Sequence, residues 1–326
     1  LNLAGSDLVL EPRKMIGEAF GRRTLGGSSI AGIIGKFENL VIAEAPAIGT
    51  PMVGKTLPEL QLRQKMGINV AGFWENGVFK EANPDHVINK STVLVLIGEK
   101  ESIDMYNETF VIFHADPRPV IIVGAGRVGK YTAASLDKRG INYVLIEKET
   151  DRNFVPGKTI TGNAADFNVL KKAGIDEAPT VIISTNNDDI NIYLTIYCRR
   201  LRPDIQIISR ANSDANVSTL SRAGADLILS YPTLMANAVY NFLRQNKILM
   251  LSEGIDIFSM QTTEKLIGKN LINSKIRENT NCNVIALKKD DKIYANPDPH
   301  LNFDEDTILL LIGTKEAEAK FINMYT

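Results

Sequence analysis

The feature that most constrains this sequence is an internal repeat. The segment LNLAGSDLVLEPRKMIGEAF, which begins at Leu1, is similar to LSRAGADLILSYPTLMANAV, which begins at Leu220. The tetrapeptide Ala-Asn-Pro-Asp at Ala82 returns at Ala295, again at a spacing of about 215 residues. Matches that occur in one order at nearly one spacing indicate a duplicated unit with small insertions.

The two copies are not equally long. About a hundred residues, from Val120 to Leu220, precede the shared segment in the second copy, whereas the first copy already begins within that segment at Leu1. The chain of 326 residues therefore predicts roughly one and a half units, with the front of the first unit missing. The alternative is a natural protein that combines one complete unit with a truncated relative of it.

Charge and cysteine content exclude several classes of protein. The 37 basic and 38 acidic residues argue against a nucleic-acid binder, which normally carries a basic excess. Two cysteines cannot form a disulfide framework, so a reducing compartment is expected. No apolar stretch approaches the 18 residues expected of a membrane-spanning helix.

A small α+β module is predicted after the first segment and again from Ile255. The run from Thr56 to Met66 predicts a helix capped by Thr56, and Asn76-Gly77 between apolar runs predicts a hairpin. Six glycines between Gly17 and Gly35 predict a linker or a loosely packed helix before the first module.

Between the two modules the pattern changes to short apolar strands that alternate with helices. Such strands are typical of a parallel sheet covered on both faces, and therefore of a doubly wound α/β domain. The predicted strands are VIIVG at Val120, YVLIE at Tyr143, TIT at Thr159, TVIIS at Thr180, IQIIS at Ile205 and DLILS at Asp226.

The first of these strands leads into Gly124-Ala125-Gly126-Arg127-Val128-Gly129, a GxGxxG sequence that opens a helix. The first glycine permits a tight turn, the second lets the backbone approach a phosphate, and the third lets helix and strand pack closely. Glu147, at the end of the next strand, is placed to accept ribose hydroxyl groups and to repel a 2′-phosphate, although Lys148 weakens that exclusion. The alternative is a degenerate site whose glycines serve packing alone.

Two further loops follow strands at the same edge of the predicted sheet. Asn163 lies in the first and is a candidate for hydrogen bonding to adenine. The second loop, from Ser184 to Asp189, offers N–H groups to an anion, or it caps the next helix through Thr185 or Asn187. Arg127 and Arg210 are candidate phosphate partners, and an ion pair at the rim is the alternative for Arg210.

The residues that a hydride-transfer enzyme needs are not apparent. The three histidines, His86, His114 and His300, lie outside the strand–helix segment, and we found no catalytic triad, Cys/His metal cluster or Walker A sequence. The acidic residues at 188–189 and 304–306 are either cation ligands or parts of solvated turns. Metal ligands therefore stay unassigned.

The ordered series GAGRVG, VLIE, TGNAAD, ISTNND, ISRAN and AGADLIL resembles the TrkA/RCK (regulator of K⁺ conductance) family, and the small modules resemble its C-terminal lobe. One departure is Asn163, where the family commonly has Asp. The resemblance implies an α/β protein with a Rossmann-like doubly wound parallel sheet, flanked by two small α+β RCK C-lobe domains. The implied domains are a remnant of a first Rossmann lobe with a linker at 1–30, a C-lobe at 31–115, a TrkA-N lobe at 116–246 and a second C-lobe at 247–326.

The resemblance also implies a function, namely a non-enzymatic gating-ring region of a potassium channel that converts nucleotide binding into pore gating at the cytoplasmic face of the cell membrane. NAD or NADH is the expected ligand, ADP or ATP is an alternative, and a divalent cation stays open. The expected partners are further copies of the chain, in a ring of four, and a channel pore or a Trk/Ktr membrane subunit. The residues that would hold the ligand are Gly124, Gly126, Arg127, Val128, Gly129, Glu147, Asn163, Ala164, Thr185, Asn186 and Arg210.

Three other functions remain as alternatives. The chain would be a peripheral regulatory subunit of a Trk/Ktr transporter, an NAD-dependent oxidoreductase, or an assembly scaffold that needs no ligand. A membrane pore encoded before Leu1 would favour the channel over the transporter subunit, and turnover of reduced cofactor would favour the enzyme.

Overall fold

The structure is a computed structural model that describes residues 9–24, 31–37, 39–75, 78–110, 118–149, 155, 157–243, 248–252, 255–290, 292–295 and 297–326. Within these residues the chain forms two antiparallel sheets and a parallel sheet between them in sequence. This arrangement confirms the predicted fold class, a Rossmann-like sheet flanked by two small α+β units.

The first lobe is preceded by helix α1 (Pro12–Arg23). Its strands pair antiparallel in the order β1-β2-β5-β3-β4. The elements of this lobe are β1 (Gly32–Phe37), β2 (Leu40–Pro46), α2 (Leu57–Leu60), α3 (Leu62–Met66), β3 (Asn69–Glu75), β4 (Val78–Glu81), β5 (Val93–Glu99) and α4 (Lys100–Phe110).

The central lobe is the doubly wound part of the chain. Its strands are parallel, in the order β11-β10-β9-β6-β7-β8. The elements are β6 (Val120–Val123), α5 (Arg127–Lys138), β7 (Tyr143–Glu147), β8 (Thr159–Thr161), α6 (Phe167–Lys172), β9 (Thr180–Ile183), α7 (Asp188–Leu201), β10 (Gln206–Ala211), α8 (Val217–Ala223), β11 (Leu227–Ser230) and α9 (Tyr231–Leu243).

The second lobe repeats the first. Its strands pair in the order β12-β13-β16-β14-β15, so each strand has the same neighbours as the corresponding strand of the first lobe. The elements are β12 (Ile248–Ser252), β13 (Ile255–Gln261), α10 (Ile276–Thr280), β14 (Asn283–Lys289), β15 (Lys292–Tyr294), β16 (Ile308–Thr314) and α11 (Lys315–Tyr325).

The repeat extends to backbone details. The pairing of β3 with β5 has a bulge between Val70 and Gly72, and the pairing of β14 with β16 has one between Val284 and Ala286. Glycines at equivalent turns, Gly54 and Gly268, have left-handed φ angles of 88° and 77°. Duplication of the sequence has therefore duplicated the backbone conformation.

Two local expectations need correction. The predicted helix from Thr56 to Met66 is divided into α2 and α3 because Gln61 adopts a left-handed φ of 52°. Gly17 and Gly21 lie inside α1 and pack against α5, where the sequence predicts a linker or a loose helix. The predicted hairpin turn at Asn76-Gly77 lies outside the described residues, although β3 and β4 pair antiparallel on either side of it.

Burial on both faces explains the continuous apolar strands of the central lobe. Every residue of β6 is buried, and side chains of alternating strand positions enter two separate apolar clusters. One cluster also includes residues of α1 and of both antiparallel lobes, so it joins the three lobes. The other lies under α6 and α7 and belongs to the central lobe alone.

Candidate nucleotide-binding site

The glycine loop between β6 and α5 has the geometry that its three glycines predict. Gly124 has a left-handed φ of 97°, which only glycine adopts freely. A Cβ atom on Gly129 would lie 1.9 Å from the carbonyl oxygen of Gly124, so the third glycine allows the close contact of helix and loop. A Cβ atom on Gly126 would meet nothing within 4 Å, which leaves space beside the backbone for a ligand.

Glu147 ends β7 next to this loop and is only 8% exposed. Its Oε2 atom accepts a hydrogen bond from the backbone N–H of Ala125 at 2.8 Å, and its Oε1 atom accepts one from Glu149 at 3.1 Å. The carboxylate therefore fixes the glycine loop. Since a carboxylate has about four acceptor positions, it can bind a ribose hydroxyl group in addition.

A cavity of about 980 Å³ opens at the carboxyl ends of the parallel strands. This is the edge at which doubly wound sheets bind ligands. The cavity brings together ten of the eleven predicted site residues, and Gly129 lies behind the loop, away from the wall. The ten are Gly124, Gly126, Arg127, Val128, Glu147, Asn163, Ala164, Thr185, Asn186 and Arg210.

The loop after β8 forms one side of the cavity. Ala164 is buried, whereas Asn163 is exposed and its Oδ1 atom accepts a hydrogen bond from the Ala165 N–H at 3.0 Å. The Nδ2 group of Asn163 has no partner among the described residues. It is therefore available to donate to a ligand, and its contact with adenine stays a prediction.

The loop after β9 caps the next helix and also forms part of the cavity wall. Asn187 caps α7, because its side chain accepts a hydrogen bond from the Ile190 N–H at 3.0 Å. Thr185 and Asn186 instead lie on the cavity wall. Ser184, which the sequence did not single out as a site residue, donates from its hydroxyl group to the carbonyl oxygens of Val123 and Gly124 and so holds this loop against the glycine loop.

Arg210 is the side chain that most clearly requires an anion. Its Nε atom is buried with no hydrogen-bond partner, and its guanidinium lies 5.4 Å from the ring centre of Tyr231. Burial lowers the pKa of Arg210, Tyr231 and Asp188 raise it, and the nearby Arg13 lowers it. A buried cationic donor without a partner is costly, and a ligand phosphate would satisfy it.

Several wall residues lie outside the predicted set. Lys130 lies about one helical turn after Arg127, and Tyr193 lies about two turns after Asn186, so helical spacing would have found both. Arg13 comes from α1, and no local signal in the sequence connects it with the glycine loop. Five basic and three acidic side chains line the cavity, which favours an anionic ligand.

In the acidic pair at 188–189, the carboxylate of Asp188 is engaged by donors of the protein. The carboxylate of Asp188 accepts hydrogen bonds from Asn212, Ser213 and Asn216. Burial alone would raise the pKa of Asp188, but these donors lower it overall. Within the part of the chain that the structure describes, no three His, Cys, Asp or Glu side chains are grouped to hold a metal ion.

The histidines occupy places that fit a structural role. His86 lies in a turn after β4, hydrogen-bonds to Glu75 at 2.8 Å and stacks on Phe73. His300 lies in the equivalent turn of the second lobe, where its backbone N–H donates to the carboxylate of Asp298. His114 lies outside the described residues. Across those residues, the helices are too short or too polar to cross a bilayer.

Comparison with known domains follows the division into lobes. Residues 120–231 match the TrkA-N domain, and residues 40–111 and 257–325 match the TrkA-C domain. The TrkA-N match covers the parallel sheet and the whole candidate cavity except Arg13. The two TrkA-C matches cover most of the two antiparallel lobes.

Several similar proteins carry names that refer to potassium channels. Potassium channel protein 1 of Methanocaldococcus jannaschii is 28% identical over 60% of this chain and 63% of its own length. The crystal structure of the GsuK RCK domain is 34% identical, with a TM-score of 0.67, and the match covers 99% of this chain and 71% of that one. The structure of the GsuK channel bound to NAD is 33% identical with a TM-score of 0.67, over 100% of this chain and 60% of that one.

Other relatives are named as Trk or Ktr potassium uptake proteins. The chain spans less than two thirds of the length of the potassium channel proteins that it matches.

Proposed function

The chain belongs to the TrkA/RCK family, and from that premise we propose that it is a nucleotide-sensing regulatory region of a potassium channel. In this proposal NAD, NADH or an adenine nucleotide binds in the cavity of the central lobe, and the binding free energy changes the gating of a pore. The observation that carries it is the cavity itself, where an open glycine loop and the unpartnered Nε of Arg210 lie at one edge of the sheet.

Different residues of the cavity would bind different parts of the nucleotide. The glycine loop, with Arg127 at the start of α5, would hold phosphate through backbone N–H groups and the positive end of the helix. Glu147 would accept the ribose hydroxyl groups. Asn163 and Ala164 would border adenine, while Thr185, Asn186 and Arg210 would bind the remainder.

Regulation follows if the ligand prefers one arrangement of the lobes. A ligand can shift a conformational equilibrium only by the difference between its affinities for the two states. The two antiparallel lobes contact each other and share an apolar cluster with the central lobe, so a change at the cavity can alter their positions. The chemistry is binding alone, without turnover of the nucleotide.

Assembly with further copies of the chain is part of the proposal. Helix α7 exposes Ile190, Tyr193 and Ile196 along one face, at 48%, 51% and 38% exposure. This spacing places the three side chains on one stripe of the helix. The stripe suits contact with a second copy, in a ring of four chains at the cytoplasmic face of the membrane.

A peripheral regulatory subunit of a Trk/Ktr transporter is the second candidate, because other relatives carry those names. The two candidates differ in where the pore is encoded. Sequencing the gene upstream of Leu1 distinguishes them, since a channel would carry two membrane helices and a selectivity filter in the same chain.

Calorimetry on the 326-residue chain tests the proposal. Wild-type protein is expected to bind at least one of NAD, NADH, ADP and ATP, and Gly126→Ala is expected to lose binding at least tenfold, because the new methyl group occupies the space left for phosphate. Gly126 has a φ of −67°, which alanine adopts without strain, so an unchanged melting temperature of the ligand-free variant is the control.

Two results would contradict the proposal. One is the absence of binding by all four nucleotides. The other is consumption of NADH with a small substrate, lost in Glu147→Ala, which would assign the cavity to an oxidoreductase.

A further inference from the structure

Helix α1 is part of the central lobe although it precedes the first lobe in sequence. A Cβ atom on Gly17 would lie 2.4 Å from the Cβ of Tyr131, and one on Gly21 would lie 2.2 Å from the Oγ of Ser135. The two missing side chains thus allow α1 to lie directly on α5. Arg139, at the end of α5, donates to the carbonyl oxygens of Gly21 and Thr24 at the end of α1.

This position brings the first turn of α1 to the nucleotide cavity. Arg13 lines the cavity, and among the described wall residues it is the one that lies outside the TrkA-N match. Its side chain is exposed and forms no hydrogen bond or ion pair with the described residues. The guanidinium of Arg13 therefore lines the cavity as an exposed cation that has no partner among the described residues.

Arg13 and Arg210 line the same cavity, and the positive charge of Arg13 lowers the pKa of Arg210. Arg210 already lacks a partner for its buried Nε atom. Two guanidinium groups that face one space, one of them with an unsatisfied donor, form a local excess of positive charge. A phosphate group between them would remove the repulsion and satisfy the donor.

The order of the strands places this pair of arginines at a distance from the ribose end of the site. Glu147 ends β7 and Arg210 lies near the end of β10, with β6 and β9 between these strands. Three strand spacings correspond to about 14 Å. A nucleoside monophosphate that is held at Glu147 and the glycine loop would end short of the arginines, whereas a longer phosphate chain would reach toward them.

We propose that Arg13 and Arg210 form a subsite for the terminal phosphate of an adenosine di- or triphosphate, so that the ligand links α1 to the central lobe. This inference rests on the proposed function of the cavity and specifies the ligand and its coupling. The two guanidinium groups would bind a negatively charged terminal phosphate in preference to the nicotinamide ribose of NAD, which carries no negative charge.

A phosphate bound at Arg13 would also couple ligand binding to the first lobe through helix α1. At its other end, α1 carries Arg23, whose guanidinium donates to both carboxylate oxygens of Glu44 at 2.7 and 2.8 Å. Glu44 lies in β2 and is 1% exposed. A phosphate that holds the first turn of α1 therefore acts on a helix that is anchored in the first lobe by a buried ion pair.

Calorimetry with ATP, ADP, AMP and NAD, in EDTA, tests the subsite. Arg13→Ala is expected to weaken ATP binding by about tenfold or more while leaving AMP binding unchanged, because AMP lacks the phosphate groups beyond the first that would reach Arg13. Arg13→Lys keeps the charge but loses the planar fork and should lie between the two. Lys14→Ala is the matched control and should leave ATP binding unchanged. Lys14 is the next cation of α1, and its exposed side chain pairs with Glu11 at 3.7 Å.

Hydrogen exchange of the α1 amides supplies a second readout. ATP is expected to slow exchange in α1 of the wild-type chain, AMP is not, and Arg13→Ala should abolish the difference. The subsite would be excluded by an equal loss of ATP and AMP binding, by no loss of ATP binding, or by a larger loss for NAD than for ATP. If wild-type protein binds none of the four ligands, the proposed function itself fails, which separates the two outcomes.

Discussion

In the first lobe, strand β3 ends at Glu75, and in the second lobe the equivalent strand β14 ends at Lys289. Glu75 is buried, at 4% exposure, and accepts hydrogen bonds from Lys80, Asn89 and Thr92 in addition to its contact with His86. The side chain of Lys289 is partly exposed and pairs with Asp304 at the surface.

The two lobes therefore differ in polar contacts while their backbones agree. Strand order, the bulge and the left-handed turn positions are the same in both lobes. The sign of the charge at the end of the strand is reversed, and among the described residues the buried network around this position occurs in the first lobe alone. Duplicated backbones can thus be stabilised by different chemistry, and the first lobe has a buried carboxylate at Glu75 where the second lobe has Lys289.

The largest expected effect is that of Glu75→Ala. Removing the carboxylate leaves the donors of Lys80, Asn89 and Thr92 without their acceptor, which should cost about 3 kcal/mol of the free energy of unfolding of the first lobe. Urea unfolding followed by fluorescence measures this, because Trp74, the single tryptophan of the sequence, adjoins Glu75. Lys289→Ala is the matched control and should leave the Trp74 transition in place. Equal shifts in the two variants would contradict the difference between the lobes.

A second, smaller effect is expected where the lobes meet. The Nδ2 group of Asn69 donates to the carbonyl oxygens of Ala295 at 2.6 Å and Ile285 at 3.2 Å, whereas the Nδ2 group of the equivalent Asn283 is buried without a partner. Asn69→Ala should therefore cost about 1–2 kcal/mol, and Asn283→Ala should cost little or should stabilise. Scanning calorimetry of the two variants checks the asymmetry. A loss of stability in Asn283→Ala equal to that in Asn69→Ala would refute it.

The smallest expected effect is a dependence on acid pH in the first lobe. Burial alone would raise the pKa of Glu75, but hydrogen bonds from Lys80, Thr92 and His86 lower it below its ordinary value. The carboxylate then contributes stability above the unfolded-state pKa of about 4.3. That contribution is lost as the pH falls from there through the folded-state pKa.

Trp74 fluorescence unfolding at pH 7 and at successively lower pH measures this contribution. The stability difference between wild type and Glu75→Gln should shrink as the pH falls below about 4.3. A difference that stays constant into strong acid would show that the charge of Glu75 does not contribute.

The sequence predicted much of the fold because its signals are local or repeated. Apolar runs predicted the parallel strands to within one or two residues, and the repeat predicted two similar lobes that both adopt the same sheet order. The prediction was wrong where a tertiary contact stabilised a segment whose composition alone disfavours a helix. The glycines at 17 and 21 indicated a linker because a glycine in isolation weakens a helix, but here their missing side chains let α1 pack on α5.

For the candidate site, the glycine fingerprint was enough to locate the first loop and the acidic residue, and the ends of the predicted strands located the two further loops. It did not predict that Glu147 would accept the backbone N–H of Ala125, since that bond depends on how β7 lies beside the loop. The functional assignments of these residues stay predictions until ligand binding is measured.

What the sequence by itself determined is the duplication, the succession of strands and helices, and the place of the glycine loop. These follow from periodicity, from residue type and from spacing along the chain. What only the tertiary structure decided is which distant side chains share a space. Arg13 and Arg210 line one cavity, and Arg23 pairs with Glu44 in the core, because helix α1 packs on the central lobe while the chain that follows it forms the first lobe. Such pairs depend on the packing of whole elements, which leaves no local signature in the order of residues.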